Sequence, residues 1–270
     1  MYNQFFKLKE NPFSITADPE FFFSSTQHAE AYSSLLYGIE NRKGIIVITG
    51  EVGTGKTTLC RTLLSHLDPE VKTALVLNPV FSPVQMLRFI CKDFGIEGHF
   101  RNKFALIDAL NGFLLEQSNQ GHNVVLLIDE AQNLKPQQLE QVRLLSNLET
   151  EKDKLLQIIL IGQPELQTLL DSPSLRQLNQ RVTVRYHIRP LSQRDIKPYI
   201  KHRLTVAKDP DDFLYNVHFT PEAYEAIYHF SEGVPRLINI ICDRALLAGF
   251  AAEKNTIDED LITTSAQEIV

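Results

Sequence analysis

Residues 48–60 read ITGEVGTGKTTLC, and they continue the apolar run GIIVI at 44–48. Gly50-Glu51-Val52-Gly53-Thr54-Gly55-Lys56-Thr57 fits the pattern G-x-x-x-x-G-K-[ST]. The physical need behind that pattern is definite. Glycines let the backbone wrap closely around phosphate groups, and the loop's N–H groups then point inward at a helix N-terminus. The lysine after the second fixed glycine, Lys56, neutralises β/γ-phosphates, and the hydroxyl of Thr57 after it takes Mg²⁺. The context agrees: a buried parallel strand is expected before the loop, and a helix from about Gly55 to Leu67 after it. Residues Gly50 to Thr58, with Thr58 in the first helical turn, are therefore the candidate nucleotide cradle.

Working outward, further apolar runs follow at 72–78, 123–130, 155–162 and 181–188. Each is short enough for a strand, and each is separated from the next by a helical pattern. SPVQMLRFICKDFG (82–95) opens on a serine cap with Pro in the first turn and closes on Gly. Residues 103–118 and 136–148 are also read as helices. Strands alternating with helices imply an α/β fold, a parallel five-stranded sheet covered on both faces. After Pro190 the texture changes: helices are expected at 192–206, 220–231, 234–252 and 258–268, and no strand. The expected organisation is an N-terminal segment (1–43) packing on the core, a P-loop core (44–190) and a second, all-helical domain (191–270).

Composition narrows the setting. A formal net charge of −6 argues against a bulk polyanion binder. The three cysteines are scattered with no CxxC pair, so neither a zinc site nor a disulfide framework is expected, and a reducing cytoplasm is the simplest location. The N-terminus lacks the apolar centre of a signal peptide. No apolar run reaches the roughly 18 residues that a membrane span needs.

A nucleotide site also needs a carboxylate on the metal side. VVLLIDE places Asp129 and Glu130 at the carboxyl end of a buried strand, where ligands bind in such sheets. Asp129 is assigned to Mg²⁺ and Glu130 to the attacking water. The plainer alternative is an acidic pair capping the next helix. Gln163, after ILIG, can reach between the γ-phosphate and that water, or can simply be a turn residue before Pro164.

These features, with F-x-L-x-E-N-P-F (6–13), D-P-E-F-F-F-S (18–24), H-x-E-A-x-x-x-L (28–35), LRQLNQRV and EGVPRLINIICDRAL, make the chain resemble the AAA+ ATPases. Within them it is similar to the ExeA/GspA type associated with bacterial secretion, pilus and exopolysaccharide machinery. The resemblance implies a P-loop sandwich with strand order 5-1-4-3-2, a helical lid, ATP and Mg²⁺ as ligands, and self-assembly into rings or arcs. It also implies envelope-assembly or polysaccharide-export partners, with any membrane recruitment through such a partner. Arg236 is similar to the lid arginine that reaches the γ-phosphate of its own subunit. Arg181, or alternatively Arg176, is similar to the arginine finger that a neighbouring subunit supplies. Pro12 and Phe13 belong to the segment that packs near adenine in similar proteins, or else staple the core. Phe21–Phe23 are read as core rather than as an exposed patch.

Two other functions compete. Transposition ATPases of the TniB/TnsC kind share the core and polymerise on DNA, and Arg181, Arg185, Arg189 and Arg194 would form a phosphate track for that purpose. A scaffold that binds ATP with little turnover is disfavoured by the presence of Lys56, Asp129 and Glu130 together. A GTPase would need an N/T-K-x-D base reader, and the sequence has none.

Overall fold

The computed structural model describes residues 2–151, 153–209 and 215–268. The chain opens with α1 (Tyr2–Phe5) and α2 (Thr26–Glu40), then β1 (Ile45–Gly50), α3 (Lys56–His66) and β2 (Lys72–Val76). Next come α4 (Pro83–Asp93), α5 (Lys103–Asn119), β3 (Val124–Ile128), α6 (Pro136–Leu145) and β4 (Gln157–Gly162). Two short helices, α7 (Glu165–Leu170) and α8 (Arg176–Asn179), precede β5 (Val182–Ile188). The remainder is α9 (Gln193–Val206), β6 (His218–Phe219), α10 (Pro221–Ser231), α11 (Pro235–Ala251), β7 (Thr256–Ile257) and α12 (Glu259–Gln267).

The chain divides into two compact units. One comprises Ala29–Val52 and Leu63–Ile188 and holds the sheet, in the order β2-β3-β4-β1-β5, all parallel. This is the 5-1-4-3-2 order implied by the family resemblance, read from the other edge. Every residue of β1, β3 and β4 is buried, as continuous apolar strands covered on both faces must be. Alternation divides their side chains. Ile45, Val47, Leu126, Ile128, Ile158 and Leu160 enter one continuous core with Met86, Leu87 and Ile90 of α4 and Leu106 and Leu110 of α5. On the opposite side Ile46 meets α2 at Gly38, where a Cβ would lie 2.3 Å from Ile46 Cδ1. The start of α4 carries a reciprocal cap: Gln85 N–H donates to Ser82 Oγ (3.3 Å), and Ser82 N–H donates to Gln85 Oε1 (2.9 Å).

The strand β5 carries a bulge. Ile45 pairs with Val182 but Ile46 pairs with Val184, so Thr183 is the extra residue. Its hydroxyl donates to the Ile45 carbonyl at 3.1 Å.

The second unit comprises Met1–His28, Gly53–Thr62 and Arg189–Val270. Residues 1–43, expected to act as one segment, thus divide within α2, and the start of α3 groups with the C-terminal helices. The N-terminal segment is tied to those helices by polar contacts. Arg203 of α9 donates to the carbonyls of Pro12 and Ser14, the latter at 2.9 Å. Asn11 and Tyr2 both donate to Asp243 of α11. Phe6, Leu8, Phe13 and Phe21 join Ile196, Ile200, Ile238 and Leu246 in this unit's own core. The region after Pro190 is not wholly helical: β6 and β7 form a two-residue parallel pair, His218 with Thr256 and Phe219 with Ile257. Runs of two residues carry no periodicity for sequence reading to detect.

Gly233 is required where it stands. Its φ is +77°, and a Cβ there would lie 1.9 Å from the Leu191 carbonyl oxygen. The same approach lets Leu191 N–H donate to Gly233 O at 2.8 Å. No helix among the described residues is long and apolar enough to cross a membrane.

Candidate active site

In the sheet-bearing unit, register brings the carboxyl ends of three strands to one edge. Thr49 pairs with Gly162, so Gly50 and Gln163 lie just beyond the same level. Ile128 pairs with Leu160, which places Asp129 and Glu130 at that edge as well. Asp129 is buried, and its N–H still donates to Val76 O of β2 at 2.8 Å. Its carboxylate accepts from Glu130 N–H at 2.9 Å, which closes a tight turn. Glu130 itself adopts a left-handed conformation, φ 52° and ψ 37°. That conformation is uncommon for a residue with a side chain, and such strain gathers at functional sites.

The Glu130 carboxylate is held by two amides. Gln132 Nε2 donates to Oε2 at 2.6 Å, and Gln163 Nε2 donates to the same oxygen at 3.4 Å. Gln132 Oε1 in turn accepts from Gln163 N–H at 3.0 Å. Gly162 makes room for this amide: a Cβ there would lie 2.8 Å from Gln132 Oε1. The expected pair Glu130 and Gln163 is thus brought together, with Gln132 as a third member that sequence reasoning missed. Its signal was present, two positions after the glutamate in DEAQNL.

The other unit holds the loop from Gly53 onward. Gly53 and Gly55 have φ of +82° and +93°, values that a side chain would strain. Thr54 is fully buried and Lys56, the first residue of α3, is 7% exposed. Thr57 and Thr58 follow in the first turn, half-buried. Glu51 and Val52, in the sheet-bearing unit, are exposed. Arg236 N–H donates to Gly53 O at 3.2 Å, and a Cβ on Gly53 would lie 2.7 Å from the Arg236 Cβ. Arg236 and the loop are therefore neighbours. Pro235 at the first helical position fixes where α11 begins, and so where Arg236 stands.

Each unit, taken by itself, offers donors of a kind that a magnesium nucleotide takes. Backbone N–H groups at a helix start and a buried ammonium match phosphate. A hydroxyl (Thr57) and a carboxylate (Asp129) are the hard oxygen ligands that Mg²⁺ prefers.

The remaining candidates are scattered. Phe13 is 1% exposed, edge-on to Phe219 at 6.5 Å, and the Pro12 carbonyl accepts from Arg203. Phe13 belongs to the second unit's core, and Pro12 is buried next to it in the chain. Phe21 is buried, while Phe22 and Phe23 are half-buried. Arg176 is exposed at the start of α8, and Arg181 is half-buried before β5, where its charge helps lower the Glu149 pKa after the larger effect of Lys154. The arginine track is divided: Arg181 and Arg185 belong to one unit, Arg189 and Arg194 to the other. Arg185 is moreover engaged by Gln167 Oε1 (2.9 Å) and by Asn179.

Residues 39–170 match the AAA domain family. Over its whole length the chain is 46% identical to General secretion pathway protein A of Aeromonas hydrophila, and it spans 48% of that relative's length. Among solved structures, the Aeropyrum pernix ORC2 protein has a TM-score of 0.68 at 15% identity, covering 96% of this chain and 72% of that one. Cdc6p from Pyrobaculum aerophilum has a TM-score of 0.68 at 16% identity, covering 94% and 71% respectively. The Thermotoga maritima RuvB Holliday junction branch migration motor has a TM-score of 0.60 at 18% identity, covering 91% and 70%. At these identities the likeness to solved structures establishes the fold.

Proposed function

We propose that this chain, whose residues 39–170 match the AAA domain family and which is similar throughout to General secretion pathway protein A, hydrolyses ATP to ADP and phosphate, and that the nucleotide state governs its self-assembly. The observation that carries the reading is Glu130, a strained carboxylate held by Gln132 and Gln163 at the carboxyl edge of a parallel sheet. Such an arrangement suits a base that orients water and takes its proton. Lys56 and the N–H groups of the loop bind the phosphates, and Arg236 meets the γ-phosphate. Thr57 and Asp129, the latter through water, would hold Mg²⁺, which would supply positive charge against the phosphates. Gln163 positions the water that Glu130 activates. Pro12 and Phe13, buried within the second unit, staple its core rather than touch the adenine. Arg181, with Arg176 as the alternative, reaches the phosphate of a neighbouring copy in a ring or arc.

The similarity to a secretion-pathway protein supports an output in assembly of a bacterial envelope machine, such as a secretion, pilus or polysaccharide-export complex. This work takes place at the cytoplasmic side, with a protein partner as the link to the membrane. Arg185, already engaged by Gln167 and Asn179, lends the DNA-dependent alternative no support.

The test is ATPase rate per subunit against protein concentration, with and without duplex DNA. A rate that climbs with concentration supports a site completed by a neighbour. Glu130→Gln should lower kcat by at least about 100-fold while ATP still binds. Retained turnover would overturn the assignment. Mixing Arg181→Ala or Arg176→Ala with Glu130→Gln separates the two arginines, because activity returns only where the finger is the missing part.

A further inference from the structure

Two successive carbonyls of the phosphate loop are tethered. Arg236 N–H, at the start of α11, donates to Gly53 O at 3.2 Å. The His28 ring, near the start of α2, has Nε2 at 3.0 Å from Thr54 O. A peptide group is planar and trans, so its N–H points opposite to its C=O. Holding Gly53 O toward Arg236 therefore turns Thr54 N–H the other way. Holding Thr54 O toward His28 likewise turns Gly55 N–H the other way. These two amides belong to the stretch whose N–H groups face phosphate in the reading above.

The chemistry of the second tether is determined by its partners. A carbonyl only accepts, so Nε2 must carry the hydrogen. His28 is 4% exposed, and burial is the main cause that lowers its pKa, which keeps the ring neutral at neutral pH. In the neutral ring Nδ1 is then an acceptor. Ser25 Oγ lies 2.7 Å from Nδ1 and donates to it. The same oxygen accepts from His28 N–H at 3.4 Å, just ahead of α2. The Phe22 ring stands perpendicular to the imidazole, with centroids 5.7 Å apart. On the loop side, a Cβ on Gly55 would lie 3.1 Å from Nε2, so the imidazole occupies the space that a side chain there would need.

From this geometry we infer that His28 is a positioning residue for the phosphate loop: through Ser25 it is held as the Nε2–H tautomer, and its hydrogen bond to Thr54 O aims Gly55 N–H at phosphate. His28 opens the H-x-E-A stretch of the sequence, for which the function above has no use. The inference rests on the nucleotide-binding reading. His28 touches no reacting atom; it acts through a peptide plane.

The experiment is titration of the full chain with ATP carrying a fluorescent N-methylanthraniloyl group, in wild type, Lys56→Ala, His28→Phe and His28→Gln. Gln places its amide nitrogen near the position of Nε2, whereas Phe fills the space without a donor. His28→Phe is expected to bind about tenfold more weakly, as for loss of one buried hydrogen bond, and His28→Gln to recover most of the affinity. Wild-type affinity in His28→Phe would overturn the inference. So would equal weakening in both variants, since ring shape rather than the donated bond would then matter. Wild type binding no better than Lys56→Ala would remove the nucleotide reading itself, and this inference with it. Imidazole ¹⁵N shifts of the unmodified protein give a check that no substitution can confound: hydrogen on Nε2 supports the tether, and hydrogen on Nδ1 of a neutral ring overturns it.

Discussion

At the scale of single residues, the site depends on side chains that hold other groups still. Gln132 makes the shorter of the two bonds to Glu130, 2.6 Å against 3.4 Å from Gln163. Gln132→Leu should therefore lower kcat about tenfold with little change in KM, because a hydrogen bond to a charged group is worth roughly 1.5–3 kcal/mol and ATP binding does not use it. Steady-state kinetics decide the matter; a raised KM at constant kcat would show that Gln132 serves binding instead. A second expectation concerns acid. Burial lowers the His28 pKa, and burial together with the Arg203 charge lowers that of His202. The unfolded chain, with histidines near 6.5, binds more protons than the folded one between each lowered value and 6.5. Stability should thus fall as pH drops below about 6.5. Urea denaturation at several pH values measures the slope, and His28→Gln should flatten it. The sequence displayed Lys56, Asp129, Glu130 and Gln163 because each sits at a fixed offset from an apolar run. It carried Gln132 two positions after the glutamate, a local signal that was missed, but it could not display the His28 tether, which depends on where the chain returns to itself.

Among elements, the apolar strands were legible because burial on both faces demands continuous runs, as in IIVI, VVLLI and IILI. The larger helices were legible from caps: Ser82 before Pro83, and Thr220 before Pro221, where Ala223 N–H donates to Thr220 Oγ1 at 3.2 Å. Helices α7 and α8 were missed, having six and four residues, too few for a helical period to repeat. The bulge at Thr183 was missed because register belongs to a pair of strands and not to one. Gly233 supplies a test at this scale. A methyl group there meets the Leu191 carbonyl at 1.9 Å with φ at +77°, so Gly233→Ala should destabilise the protein by about 3 kcal/mol. Thermal and chemical unfolding measure the loss. A change below about 0.5 kcal/mol would mean that the α10–α11 turn shifts freely, and with it the helix that carries Arg236.

For the whole molecule, the organising fact is two hydrophobic cores, one built around the sheet and one around the C-terminal helices with the N-terminal segment. Separate cores are the usual setting for unfolding in more than one step. Calorimetry should give a total enthalpy exceeding the van't Hoff enthalpy, and ATP with Mg²⁺ should move the transitions upward by mass action. A single two-state transition would show that the cores melt as one. The sheet's outer margin has a further consequence. β5 ends the strand order, and its free side is the natural place for a foreign strand to attach. The Thr183 bulge interrupts the pleat there, and the charged Arg185 projects among the exposed residues of the same strand. Both features discourage edge-to-edge addition, the route by which parallel sheets pass into fibrils. Any two copies of this chain that meet are thereby kept from fusing their sheets, and contact between them is left to side chains.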